Sequence, residues 1–155
     1  MASVRAQIFA EVAARLDVVR EGLEWVVLLR NPREPVGEDQ MNALVLLHGG
    51  EREPGSLTGH VETRALDFSV GLLVIERDGA LAEELLDAGF VAVADALLDP
   101  SGIQLGGLAS SIAMGAVSDP LIGRGAQSAR VVGGQSIDFT VEYWGREGDA
   151  SVPGP

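Results

Sequence analysis

The chain has two histidines, and they flank a single loop: His48 closes one apolar run and His60 opens the next. With Glu51 or Glu53 from that loop they could ligate a metal, because imidazole and carboxylate together suit divalent ions. Polar residues at strand ends are usually plain surface, so no metal is expected. His48-Gly49-Gly50 has the texture of an oxyanion-hole loop. A hydrolase of that kind also needs a nucleophile elbow, G-x-S-x-G, and the chain has none; the two glycines read as a turn. Gly123-x-Gly125-x-x-Ser128 is a degraded dinucleotide fingerprint without the preceding strand and following helix that give such glycines meaning. There is no phosphate-binding loop and no lysine to serve one. Glu83, Glu84 and Asp87 group their carboxylates near the start of an expected helix. There they complement its dipole on the solvated side rather than forming the paired acids of a catalytic cleft. Arg124 and Arg130 could meet such acids on a neighbouring subunit. No catalytic residues and no cofactor are expected, and the chain reads as a non-enzyme.

Composition narrows the class further. The 155 residues make one domain by length. Cysteine is absent, which removes disulfides, thiolate ligands and a cysteine nucleophile together. All 11 basic residues are arginine, set against 23 acidic ones for a net charge of -12. A field of that sign repels phosphate, so adhesive nucleic-acid binding is not expected. Hydrophobic content is 46%, yet no window approaches the ~20 apolar residues of a membrane helix. The opening residues read as an amphipathic helix rather than a signal peptide.

The elements that must hold these residues follow from hydrophobic period. Val4, Ile8, Val12, Leu16 and Val19 form one helical stripe over 3–19, with Ser3 as N-cap and Glu21-Gly22 as exit. Arg5, Glu11, Arg15 and Asp17 lie off the stripe. Short strands are predicted over Glu24–Arg30 and Met41–His48, the second stopped by Gly49-Gly50. The prolines at 32 and 35 mark a loop between them, and 51–59 reads as another. From Val61 to Glu76, Leu66, Phe68, Val70, Leu72 and Val74 share a face. At ~3.3 Å per residue that strand would span about 50 Å, so it must bend or reach beyond its own domain. A second helix opens at Asp78-Gly79, carries Leu86, Phe90, Val93 and Leu97 on its stripe, and ends at Asp99-Pro100. A fourth strand is predicted over Leu108–Val117, a flexible excursion over 118–128, and a last strand over Ala129–Trp144 with Ile137, Phe139, Val141 and Tyr143 facing in. The expectation is an α+β domain over 1–146, ordered α-β-β-β-α-β-β. Its sheet is mostly antiparallel with four to five strands and two helices on one face. Residues 147–155 are expected to be a flexible tail.

This arrangement resembles the tail terminator and minor tail proteins of long-tailed phages and phage-like gene transfer particles. The segments that carry the resemblance are the helix Val4 to Val19, the turn Asn31-Pro32-Arg33-Glu34-Pro35, the strand from Met41 to Leu47, and the acidic loop Gly50 to Gly55. They continue with the long strand Arg64 to Val70, the helix Leu81 to Leu98, and the closing strand Ile137 to Tyr143. The resemblance implies a virion subunit that assembles in the host cytoplasm as a ring, a hexamer in that family. Such a ring caps the tail tube, ends its growth, and meets the tube protein and a head-neck connector. DNA passes through without specific binding, and neither membrane nor cofactor is involved. Glu51, Arg52, Glu53, His60, Glu62, Arg64, Arg124 and Arg130 are the candidate subunit interface. The alternatives are another head-tail joining or neck ring protein, an acidic monomeric adaptor, and, in a different class, a small ligand-binding or enzyme domain.

Overall fold

The computed structural model describes residues 3–57, 61–98, 105–146 and 149–153, with side chains placed except at 53–57, 61–62, 145–146 and 149–153. Ser3 stands in extended backbone and its Oγ accepts the Ala6 N–H at 3.1 Å, so helix α1 (Val4–Leu23) begins where expected. The five stripe residues are buried together with Phe9. The helix outruns its stripe: it continues through Gly22 and closes on Glu24 in left-handed backbone. Arg20 explains the extension, because Nε meets Asp17 Oδ1 at 2.8 Å and Nη1 donates to the Trp25 carbonyl at 3.2 Å, tying down the last turn.

Seven strands form one mixed sheet in the order β1-β2-β3-β6-β4, with β5 and β7 also paired to β6. They are β1 (Val27–Arg30), β2 (Ala43–Leu57), β3 (Val61–Ile75), β4 (Ser111–Val117), β5 (Leu121–Arg124), β6 (Val131–Arg146) and β7 (Asp149–Pro153). Helix α2 (Ala82–Leu97) follows β3. Only β1 and β2 run parallel, from Val27↔Ala43 to Arg30↔Leu46. The proline-containing connection over 31–42 carries the chain back to the starting end, as a parallel pair requires. Both helices lie on one face, and the core joins their stripes to Leu66, Phe68, Val70, Leu72 and Val74 of β3 and Ile137, Phe139, Val141 and Tyr143 of β6. Among the described residues no helix is long and apolar enough to cross a membrane.

Several expectations are corrected. Gly49-Gly50 does not end the second strand, and 51–57 is not a loop. β2 passes through both, with register shifts between His48 and Glu51 and between Arg52 and Gly55. The bulge needs glycine, since a Cβ on Gly49 would stand 2.5 Å from the Asp67 carbonyl oxygen. Because β2 is this long, β3 does not reach beyond the domain. It is paired along its length to β2 on one side, from Leu57↔Val61, and to β6 on the other, from Val61↔Arg146 to Ile75↔Val132. The expected excursion over 118–128 contains β5, paired to β6 from Leu121↔Gly134 to Arg124↔Val131. Its return is pinned by Glu38, whose carboxylate accepts Gln127 N at 2.6 Å and Ser128 Oγ at 2.7 Å. The Ser128 hydrogen bond holds the pKa of Glu38 below the ordinary carboxylate value. Past Arg146, where the sequence suggests a tail, β7 pairs with the end of β6. Asp78 is not a helix cap: α2 starts at Ala82, whose N–H donates to Glu76 Oε2 at 2.7 Å. Asp99-Pro100, read as the stop of this helix, lies outside the described residues.

Trp25, 4% exposed, lies between the end of α1 and the start of β1 and packs under α2 at Gly89. A Cβ on Gly89 would stand 2.7 Å from Trp25 Cη2 and 3.4 Å from Leu72 Cδ1. Alanine gains roughly 1 kcal/mol of helix propensity over glycine, but overpacking an enclosed indole costs about 1–3 kcal/mol. Gly89→Ala is therefore expected to lower the chemical-denaturation midpoint. Gly22→Ala in α1, with nothing within 4 Å of its Cβ, should raise it.

Candidate functional site

Where the bulged part of β2 crosses the start of α1, five elements enclose a cavity of about 460 Å³. The first turn of α1 supplies Arg5, the end of β1 Arg30, β2 His48 and Glu51, β3 Arg64, and β6 Tyr143, with Phe9 in the wall. The pairing dictates this convergence. Arg64 and Tyr143 are register partners, and Glu51 pairs with Leu66 two residues along. The bulge at Gly49-Gly50 shifts the register just before Glu51, and Glu51 reaches the helix side beside Tyr143.

Glu51 is the hub. It accepts a short hydrogen bond from the Tyr143 hydroxyl, lies 3.7 Å from Arg64 Nη1, and lies 3.9 Å from Arg5 Nη1. Burial first, then the hydrogen bond to Glu51, raises the Tyr143 pKa well above the ordinary phenol value, so the hydroxyl stays a donor. His48 lies flat on Phe9, with ring centroids 3.7 Å apart and 3° between planes. Its buried Nε2 has no hydrogen-bond partner among the described residues. Desolvation, with Arg30 and Arg5 adding like charge, pushes its pKa below 6.5. Near neutral pH the described lining of the site therefore carries three guanidiniums, one carboxylate and a neutral imidazole, in a chain of net -12. Arg5 and Arg30 are exposed, and Arg30 makes no ion pair among the described residues. Such an arrangement can hold an oxyanion between guanidiniums at a partly desolvated surface.

Of the residues singled out from sequence, His48, Glu51 and Arg64 come together here. Arg52 lies on the helix-free face, 3.6 Å from Asp67, whose carboxylate also accepts Thr140 Oγ1 at 2.7 Å. Arg124 donates to the Ala129 carbonyl at 2.9 Å beside β5. Arg130 borders a depression with Glu76, Arg77 and Asp78 at the far end of the sheet. His60 and the side chains of Glu53 and Glu62 lie outside the described residues. Sequence reasoning missed Arg5, Arg30 and Tyr143. Arg5 was a charge off the helical stripe, Arg30 a strand end, and Tyr143 one more inward residue of an alternating strand. A phenol at the end of an apolar face, which needs a polar partner when buried, was the available signal.

No family model and no curated protein matches the sequence. Among solved structures, a chain in the virion of a native gene transfer agent particle is similar, with TM-score 0.37 and 16% identity over 90% of this chain and 92% of that one.

Two titrations test the site. Tyr143 is the chain's single tyrosine, so phenolate absorbance reports it alone. Its midpoint is expected above 10, and Glu51→Gln should shift it part of the way back, since burial remains. For His48, the folded state resists protonation that the unfolded chain accepts, so the folded protein loses stability as pH falls below 6.5. His48→Phe should therefore lose less stability than the native chain between pH 7 and pH 5 in denaturant unfolding; an equal loss would refute the depressed pKa.

Proposed function

We propose that this protein is a structural subunit of a phage-like particle, a tail terminator that closes into a ring, as a hexamer, on the end of the tail tube. The ring ends tube growth and joins the tail to the head-neck proteins. The observation that carries the reading is the order of the elements. The segments bearing the family resemblance fold as α1, the proline-bearing connection, β2, β3, α2 and β6, save that the acidic segment Gly50 to Gly55, a loop in that resemblance, is part of β2. Net charge supports it: a conduit for DNA benefits from a surface that repels phosphate, and this chain carries -12.

One support for a ring falls away. The long strand β3 is internal, with partners on both sides, so it cannot add its edge to a neighbour's sheet. On one side β1 covers β2 only from Ala43 to Leu46, which leaves Leu47–Leu57 without a strand partner there among the described residues, while β5, β4 and β7 succeed one another along the far side of β6. The two register shifts of β2 fall within that open stretch and discourage strand addition to it. Particles assembled without this protein are expected to carry tails of irregular, extended length in electron micrographs. Tails of normal length would remove the terminator reading.

A further inference from the structure

The arginine-lined cavity and a group of acidic residues without ion pairs among the described residues lie at opposite ends of the sheet. Several described carboxylates are engaged: Glu11 with Arg15, Asp17 with Arg20, Asp67 with Arg52, Asp138 with Ser69, Glu38 with Ser128. Glu83, Glu84 and Asp87 are exposed on the first turns of α2 and make no ion pair among the described residues. Positions 83 and 87 are one helical turn apart, and 84 lies beside both, so the three form one knob. The start of α2 is seated over Gly133, whose added Cβ would meet Ala82 and Leu86 at 3.3 Å. The arginine cavity is seated at the Arg64↔Tyr143 pair, and the register runs unbroken from there to Ile75↔Val132. The ten residue steps from Arg64 to Val74, the partner of Gly133, separate the two features by roughly 33 Å at about 3.3 Å per residue. Within one copy they cannot meet.

We propose that the cavity bordered by Arg5, Arg30 and Arg64 is a socket for the Glu83–Glu84–Asp87 turn of a second copy of this chain. The occupant is another copy because the chain carries both halves of the complementary pair, on surfaces too far apart to satisfy each other. A knob at one end and a socket at the other make a heterologous contact, which repeats around a ring when the rotation closes; for that closure the proposal rests on the ring reading above. Glu51, hydrogen-bonded to Tyr143 and near Arg64 and Arg5, holds the socket open by keeping the guanidiniums apart and oriented. The exposed Arg5 and Arg30 face the incoming carboxylates.

The test is a charge swap read by native mass spectrometry and sedimentation at low ionic strength. The native chain is expected to self-associate, and added salt should weaken the association because the contact is electrostatic. Arg5→Glu/Arg30→Glu should weaken it about tenfold or more, as should Glu83→Arg/Glu84→Arg, because each sets like charges face to face. An equimolar mixture of the two variants should recover assemblies that alternate them. The substituted residues are exposed, and circular dichroism checks that both variants fold. The chain has no cysteine, so bis-maleimide treatment of mixed Arg30→Cys and Glu84→Cys copies should give the heterodimeric cross-link specifically. Self-association undiminished by either reversal, no recovery on mixing, or a native chain that stays monomeric throughout would each overturn the socket. Binding of duplex DNA lost with Arg5→Glu/Arg30→Glu would overturn it in favour of a phosphate site. Tail length in particles lacking the protein is read independently, so the socket and the terminator reading fail separately.

Discussion

The pairing of β3 with β6 is the constraint on which the rest of the molecule depends. It runs from Val61↔Arg146 to Ile75↔Val132. On the helix side it stacks Phe68 on Phe139, with ring centroids 5.2 Å apart and 14° between planes. Phe9 of α1 meets Phe68 edge-on at 6.4 Å, and Phe9 in turn carries the His48 ring. One aromatic column thus links the central strands, the first helix and the wall of the arginine cavity. Because side chains alternate across a strand, a slip of one residue in this pairing would turn the whole apolar face to water. That penalty makes the register specific, and the register sets where α1, α2 and the cavity lie.

Length of strand has a second consequence. At the first turn of α1 the helix side of β2, β3 and β6 carries Glu51, Arg64 and the Tyr143 hydroxyl, with Arg5 of α1 beside them. A buried phenol needs an acceptor, a carboxylate near it needs counter-charge, and the arginines answer that need. Among the described lining residues three arginines stand beside one carboxylate, on a chain of net -12. The helix-free face is built differently, with short polar pairs such as Ser69 Oγ on Asp138 at 2.7 Å beside an open apolar strip near Leu47, 43% exposed, and Leu121, 78% exposed.

Much of the fold was legible in the chain because its strongest signals are local. The α1 stripe and its Ser3 cap, the alternation of Leu66 to Val74 and of Ile137 to Tyr143, and the position of α2 each follow from period and capping. The misreadings share a cause as well. Gly49-Gly50 and Pro54 are turn formers by propensity, yet they fall in β2 because the neighbouring β3 offers a continuous ladder and bulges absorb the awkward residues. Residues 121–124 have no alternation to mark a strand; β6 supplies the pairing and Glu38 ties down the segment that follows. Trp25 was read as part of a strand, whereas it is a core residue that closes the space under Gly89.

By itself the sequence determined the class of fold, the two faces of each long element, the negative charge of the whole, and the missing parts of familiar catalytic devices: no cysteine, no lysine, no nucleophile elbow. These are matters of residue type and short spacing, and a linear chain displays them directly. Only the tertiary structure decided that the long strand is enclosed rather than free, and that Arg5, Arg30 and Arg64 line one cavity with Glu51. It also decided that the acidic turn of α2 stands at the other end of the sheet from them. Those facts depend on which strands pair, in what register, and how far apart that register holds two surfaces. Meetings of residues far apart in the chain, such as Arg5 with Glu51, leave no periodic trace in it.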